Sequence, residues 1–175
     1  MTEQSSVVIR AFELKDLDRV IEINSQTLPE NYPERFFRTI SAELPSAFQV
    51  CQIDGKIIGY TMARMETGLS HYSIFHRAKK GHTVSIAVLP PYRRKNLATK
   101  LLIASIAAMI SNGATELYLE VRVSNKAAVG LYNHLGYEIL KEIRHYYRDH
   151  ESALLMAQKV NRETIITPGV AASDE

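Results

Sequence analysis

The sequence predicts an α/β fold: one mixed (α+β) sheet of about seven strands with a central parallel pair, and about four helices on both faces. Three observations carry that expectation. Residues 82–89 alternate as a strand; after Pro90-Pro91-Tyr92 and the basic cluster Arg93-Arg94-Lys95-Asn96, an apolar run at 97–110 reads as a helix. A further strand at 116–123 carries Leu117, Leu119 and Val121 on one face, and strand–helix–strand of these lengths implies a parallel, right-handed crossover. Asp54-Gly55, between strand-like runs at 48–53 and 56–65, is a two-residue hairpin signal.

The other elements follow in chain order. Residues 7–9 read as a short strand. Leu14, Leu17, Val20, Ile21 and Leu28 fall near a helical period, with Lys15, Asp16, Asp18 and Arg19 on the other side. Pro29 and Pro33 restrict their own backbone and that of their predecessors, so 28–33 is a defined loop. Pro33 also suits the first turn of a second helix, running to residue 44. Residues 66–80 fit nothing regular and are expected as one long connection, either a substrate-side loop or a surface excursion. The 97–110 helix is apolar nearly all round and should be mostly buried, with Gly113 as its stop. Asn125 can cap a helix over 126–135 that ends at Gly136. Residues 137–147 and 153–160 make the last two strands. One domain is expected over 1–160, with 161–175 as a flexible tail.

At 175 residues with 46% hydrophobic content, the chain can bury a sizeable single core. A net charge of +2 argues against nucleic-acid binding by overall charge, so the basic cluster needs a local explanation. Cys51 is the single cysteine, which excludes an internal disulfide and a multi-Cys zinc site; it reads as a small buried hydrophobe. Residues 1–6 lack an apolar signal core, and the longest apolar run is too short to span a bilayer. No membrane partner and a cytoplasmic location are therefore expected. The histidines show neither His-Glu-x-x-His nor finger spacing, so no metal is expected.

The start of a helix offers unpaired N–H groups and the positive end of its dipole; cationic side chains beside it make an anion site, most often for phosphate. Arg93-x-x-Asn96-x-Ala98, following Val84-Ser85-Ile86-Ala87-Val88, resembles the acetyl-CoA segment of the GNAT N-acetyltransferases, whose signature is Gln/Arg-x-x-Gly-x-Gly/Ala. Asn96 stands where glycine is usual; asparagine tolerates a left-handed backbone and is a good N-cap. Asn125-x-x-Ala128, Leu131-Tyr132 and Gly136-Tyr137 resemble the family's second cofactor segment. Leu28-Pro29-Glu30-Asn31-Tyr32, Gly81-His82, the stretch 118–125 and Tyr146-Tyr147 are similar to NatA-type catalytic subunits, whose archaeal members and bacterial ribosomal-protein cousins acetylate protein N-termini. Arg148-Asp149-His150-Glu151 stands where that group often has Ala-Asp-Gly-Glu.

The resemblance implies direct transfer from acetyl-CoA to an α-amine, without a metal. It implies that Arg93, Arg94, Lys95, Asn96, Leu97, Ala98 and Thr99 hold the cofactor, together with Asn125 and Tyr132. Backbone N–H groups along Ile86-Ala87-Val88 would meet the acetyl oxygen if that strand bulges away from its neighbour. Glu30 and His82, then Glu120, are the candidate bases. Each has a plainer reading: a loop acid, a structural histidine, and an ion pair with Arg122 or a lysine. Tyr132 either protonates the leaving thiolate or is a core tyrosine touching CoA. Leu28, Tyr32, Ile86 and Tyr147 are expected to line the substrate slot. A chain-terminal amine titrates near ~7.7–8.0 against ~10.4 for lysine, so its proton is roughly 3–4 kcal/mol easier to remove and a modest base suffices.

The implied partners are the N-termini of proteins or nascent chains, with ribosome association as a further expectation and monomer and homodimer both open. Two other functions compete: acetylation of small-molecule or lysine amines, and a non-catalytic acyl-CoA-binding module, which Asn96 encourages.

Overall fold

Residues 6–161 are described by a computed structural model. The expected C-terminal tail lies almost wholly outside the described residues. The element order matches the expected one: β1 (Val7–Ala11), α1 (Leu17–Thr27), α2 (Glu34–Glu43), β2 (Gln49–Ile53), β3 (Lys56–Leu69), β4 (Arg77–Val88), α3 (Leu97–Ser111), β5 (Glu116–Arg122), α4 (Lys126–His134), β6 (Glu138–Ile143) and β7 (Ala153–Lys159). These strands form a 7-stranded sheet in the order β1-β2-β3-β4-β5-β7-β6. Every neighbouring pair is antiparallel except β4–β5, the two strands joined through α3.

Helices cover both faces. Leu17, Val20 and Ile23 of α1 and Phe37 and Ile40 of α2 pack on Val50, Tyr60 and Met62. Cys51, next to Val50 and therefore pointing the other way, packs on Leu97 and Leu101 of α3. Burial of each such side chain contributes about 1.5–3 kcal/mol relative to exposure. Cys51 is fully buried, as a small hydrophobe should be. Helix α3 lies very close to the sheet at Gly81: a Cβ there would sit 2.6 Å from Met109 Sδ and 2.8 Å from Leu117 Cδ2.

Three expectations need correction. The region 66–80 is not one long loop. β3 runs to Leu69 and β4 starts at Arg77, with Glu66 opposite Lys80 and Thr67 opposite Lys79. These residues pair beyond the hydrophobic core, so their strand lacks an apolar alternation. The strand expected at 137–147 ends at Ile143, and Tyr147 sits in the β6–β7 connection, where His145 and His150 take positive φ. The first helical segment opens with a 3-10 turn at Leu14–Asp16; Asp16 is tied to Arg10 there by bonds of 2.6 and 2.8 Å.

Candidate active site

The parallel pairing of β4 and β5 is short. It joins Lys80, Gly81 and His82 to Glu116, Leu117 and Tyr118, and stops there. Beyond it the strands separate. One cause is visible on the other side of β4: Met62 opposes Ser85 and Ala63 opposes Thr83, so Val84 is an extra, bulged residue. Leu89 donates its N–H back to the Ile58 carbonyl at 2.9 Å, which fixes the alternation of the β3–β4 ladder. By that alternation the N–H groups of Ile86 and Val88 point away from β3 into the gap, while that of Ala87 faces β3.

Two adjoining cavities open at this gap, and Ala128 lines both. The smaller, about 220 Å³, is walled by Val88, Arg93, Arg94, Leu131 and the start of α3 from Asn96 to Thr99. Asn96 has φ 57 and ψ 18, a left-handed conformation, and Arg94 precedes it at φ 63. Asparagine thus occupies a backbone position that suits glycine. Its side chain makes no cap bond, so the expected capping role is absent. The first intrahelical N–H bond comes from Lys100 to the Asn96 carbonyl, at 3.1 Å. The N–H groups of Leu97, Ala98 and Thr99 therefore remain for an anion. Arg93 donates through Nε to the Val88 carbonyl at 2.8 Å, which pins the loop to the end of β4. Lys95 does not line the cavity; its Nζ lies 5.9 Å from the Tyr92 ring centre.

The larger cavity, about 370 Å³, is a slot between the α1–α2 loop and the β6–β7 connection, floored by β4 and β5. Leu28, Glu30, Tyr32, Ile86, Tyr146 and Tyr147 line it, as do His82, Glu120, Asn125 and Tyr132. The α1–α2 loop is anchored from below. Buried Asn24 donates to the Glu30 carbonyl at 3.2 Å and to the Tyr60 hydroxyl at 2.9 Å, and that hydroxyl meets Ser85 Oγ at 2.9 Å. Tyr32 stacks on Phe36 at 4.6 Å. Asn125 caps α4, accepting from the Ala128 N–H at 3.2 Å.

The charges in the slot form two groups. His82 Nε2 lies 2.8 Å from Glu120 Oε2, and its Nδ1 lies 3.3 Å from Glu66 Oε1. The ring is stacked on Tyr118 at 4.2 Å. Arg122 is the second centre. It donates to Glu30 Oε1 through Nε at 3.1 Å and also through Nη2. Through Nη1 it reaches Asp149 at 2.8 Å and Glu151 at 2.6 Å, and its guanidinium sits 4.0 Å from the Tyr147 ring centre. One arginine therefore ties the two loops that wall the slot. Ser124 and Arg122 hold the Glu151 carboxyl down to about 2. Tyr132 is 6% exposed, and burial, with Tyr137 beside it, raises its phenol well above the ordinary range, so it stays protonated.

The anion cradle at the start of α3 and the splayed β4–β5 pair both lie within the residues that match a known family. Residues 17–137 match the Acetyltransferase (GNAT) family. The chain belongs to that family. It is 50% identical over 151 residues to a protein named N-alpha-acetyltransferase from Sulfurisphaera tokodaii, covering 85% of this chain and 90% of the relative. A second protein of that name, from Saccharolobus solfataricus, is 46% identical over 152 residues, covering 86% and 91%. Among solved structures, Chaetomium thermophilum Naa20 in complex with a bisubstrate analogue superposes with a TM-score of 0.78 at 27% identity, covering 91% of this chain and 88% of that one.

This GNAT site contains residues that sequence reasoning passed over. Arg122 was considered only as a partner for Glu120, yet it holds Glu30 while Glu120 meets His82. Tyr118, Glu120 and Arg122 alternate with the apolar face of β5, and that polar period of two is the signal that could have grouped them. Glu66 falls beyond the expected end of β3, and Arg64, though inside the expected strand, carried no signal of its own. Among the described residues, no group of three or more His, Cys, Asp or Glu side chains could hold a metal ion.

Proposed function

We propose that this chain is an acetyl-CoA-dependent protein N-alpha-acetyltransferase that moves the acetyl group directly to the α-amine of a protein N-terminus. One observation carries the reading: a slot walled by Glu30, Tyr32, Tyr146 and Tyr147 meets a phosphate-type cradle where β4 and β5 part. Its relatives of that name support it. The chain fits the cofactor, because Asn96 adopts the left-handed turn and leaves the α3 N–H groups free for pyrophosphate. That fit removes the motive for a binding-only module.

The chain's own groups supply each step. The cradle of Arg94 and the α3 start from Asn96 to Thr99, with Arg93 behind it, holds the diphosphate. The N–H groups of Ile86 and Val88 donate to the acetyl oxygen as it gains charge, and they are fixed in advance by the strand. The Glu120–His82 pair takes the amine proton, directly or through one water. Glu30 ranks behind this pair because Arg122 holds its Oε1; it shapes the slot wall instead. The Tyr132 hydroxyl, kept protonated by burial, donates to the leaving sulfur. Tyr32 and Tyr147 flank the entering peptide, with Leu28 and Ile86 as apolar wall.

All of these residues come from one chain. On this reading the substrates include nascent chains in the cytoplasm, near the ribosome. With acetyl-CoA and a Ser- or Ala-starting peptide, the protein should release free CoA, and His82→Ala and Glu120→Gln should each lose most of that rate. Release with free polyamines but not with such peptides would refute the reading.

A further inference from the structure

Glu66 takes no part in the reaction above and does not line the slot, yet it touches His82 of the catalytic pair and two side chains beside it, Tyr118 and Arg64. It lies near the end of β3, two residues beyond Arg64, which pairs with His82 across the strands. His82 in turn pairs with Tyr118. Arg64, Glu66, His82 and Tyr118 therefore share one face of the sheet. Glu66 Oε2 accepts the Tyr118 hydroxyl at 2.6 Å. Its Oε1 accepts Arg64 Nε at 2.7 Å and lies 3.3 Å from His82 Nδ1.

We propose that Glu66 is a positioning residue for acetyl transfer: it holds His82 through Nδ1 so that Nε2, and not a ring carbon, faces Glu120. The inference rests on the reading in which the Glu120–His82 pair is the base. Stacking on Tyr118, at 4.2 Å and 11°, sets the plane of the imidazole. It does not choose between the two ring orientations related by a half-turn about Cβ–Cγ, because both lie flat on the same phenol. That half-turn puts Cδ2 where Nδ1 was and Cε1 near Glu120. The carboxylates beside Nε2 and Nδ1 both separate the two, since each attracts an N–H far more strongly than a C–H, and Glu66 still does so once Glu120 has taken up a proton. Tyr118 makes the arrangement a unit: its ring fixes the plane, and its hydroxyl fixes the carboxylate that fixes the rotation. Burial alone would raise the Glu66 carboxyl, but Tyr118, His82 and Arg64 together bring it below the ordinary range, so it is an anion at neutral pH.

A merely structural Glu66 would serve as the partner of Arg64 at a strand end outside the hydrophobic core. Glu66→Gln separates the two roles, because the amide keeps the shape and can still accept from Tyr118. It should lower kcat about tenfold, the low end for loss of an outer-shell partner, with KM for acetyl-CoA and peptide within about twofold. In ¹⁵N NMR at fixed pH, the His82 Nδ1 resonance should move toward the value of an unprotonated nitrogen. Tyr118→Phe keeps the stacked ring and should give a smaller drop in kcat of about two- to threefold. This variant carries the test if Glu66→Gln does not fold. A wild-type kcat in both variants, or an unmoved Nδ1 resonance in Glu66→Gln, overturns the proposal. The NMR reading needs no turnover. If the wild-type protein acetylates no peptide N-terminus, the functional reading falls, while the resonance still decides whether Glu66 holds His82.

Discussion

Replacing Arg122 by methionine removes a side chain that joins both walls of the slot while keeping an unbranched apolar stem. The guanidinium gives two N–H donors to Glu30 Oε1, and further donors to Asp149 and Glu151. The Arg122 side chain is 16% exposed and that of Glu30 is 32% exposed, so the pair is only partly shielded from water. A hydrogen bond to a charged group is worth about 1.5–3 kcal/mol, and partial exposure puts this one at the low end, about 1.5–2 kcal/mol. That corresponds to about a ten- to thirtyfold loss in kcat/KM for a Ser-starting peptide. Arg122 does not line the cradle cavity, so KM for acetyl-CoA should stay within about twofold. Arg122→Lys should recover only part of the loss, since an ammonium cannot present the same fork of donors. Steady-state rates, with each substrate varied in turn, give both constants. A peptide kcat/KM within about threefold of wild type, or an equal rise in KM for acetyl-CoA, would refute the clamp.

Asn96→Gly should leave acetyl-CoA kinetics within about twofold, because glycine enters a left-handed position freely; Asn96→Val, at φ 57, should lose about 1–2 kcal/mol and raise KM for acetyl-CoA several-fold, read in the same assay. Gly81→Ala places a methyl 2.6 Å from Met109 Sδ and 2.8 Å from Leu117 Cδ2; thermal unfolding should show a loss of about 1–2 kcal/mol, limited because both contacts are side-chain ends that can shift. The Glu151 carboxyl is lowered from 4.5 to about 2 by Ser124 and then Arg122, so its contribution to stability is complete above 4.5 and is lost as pH falls toward 2. Unfolding midpoints followed across that window should fall less steeply in Glu151→Gln than in the wild type.

The element order was legible because most core elements repeat their apolar residues at the period of their own geometry. The apolar face of β5 is the clearest case, while α3 was legible instead as an apolar run too long for a strand and stopped by Gly113. The cradle was legible because turn, basic cluster and helix start are consecutive in the chain. The ends of β3 and β4 were not, because Glu66, Thr67, Lys79 and Lys80 pair outside the core and carry no apolar alternation. Tyr147 lies beyond β6 because Arg144 to His150 turn away from the sheet, two of them at positive φ. The partner of Arg122 could not be read from spacing. Glu30 is separated from it by 92 residues and meets it only once the α1–α2 loop is anchored through Asn24 and Tyr60. Which carboxylate is tied to Arg122 and which faces His82 is a tertiary outcome, and the proposed mechanism ranks Glu120 ahead of Glu30 on that ground.

The central claim is that the slot presents an α-amine to the cofactor. The direct measurement is mass-spectrometric mapping of the acetyl group on a Ser-starting peptide that also contains an internal lysine, after incubation with the protein and acetyl-CoA. One acetyl group is expected, on the terminal amine, appearing in step with free CoA and nearly absent with Glu120→Gln. Acetyl on the lysine with the terminal amine untouched would contradict it.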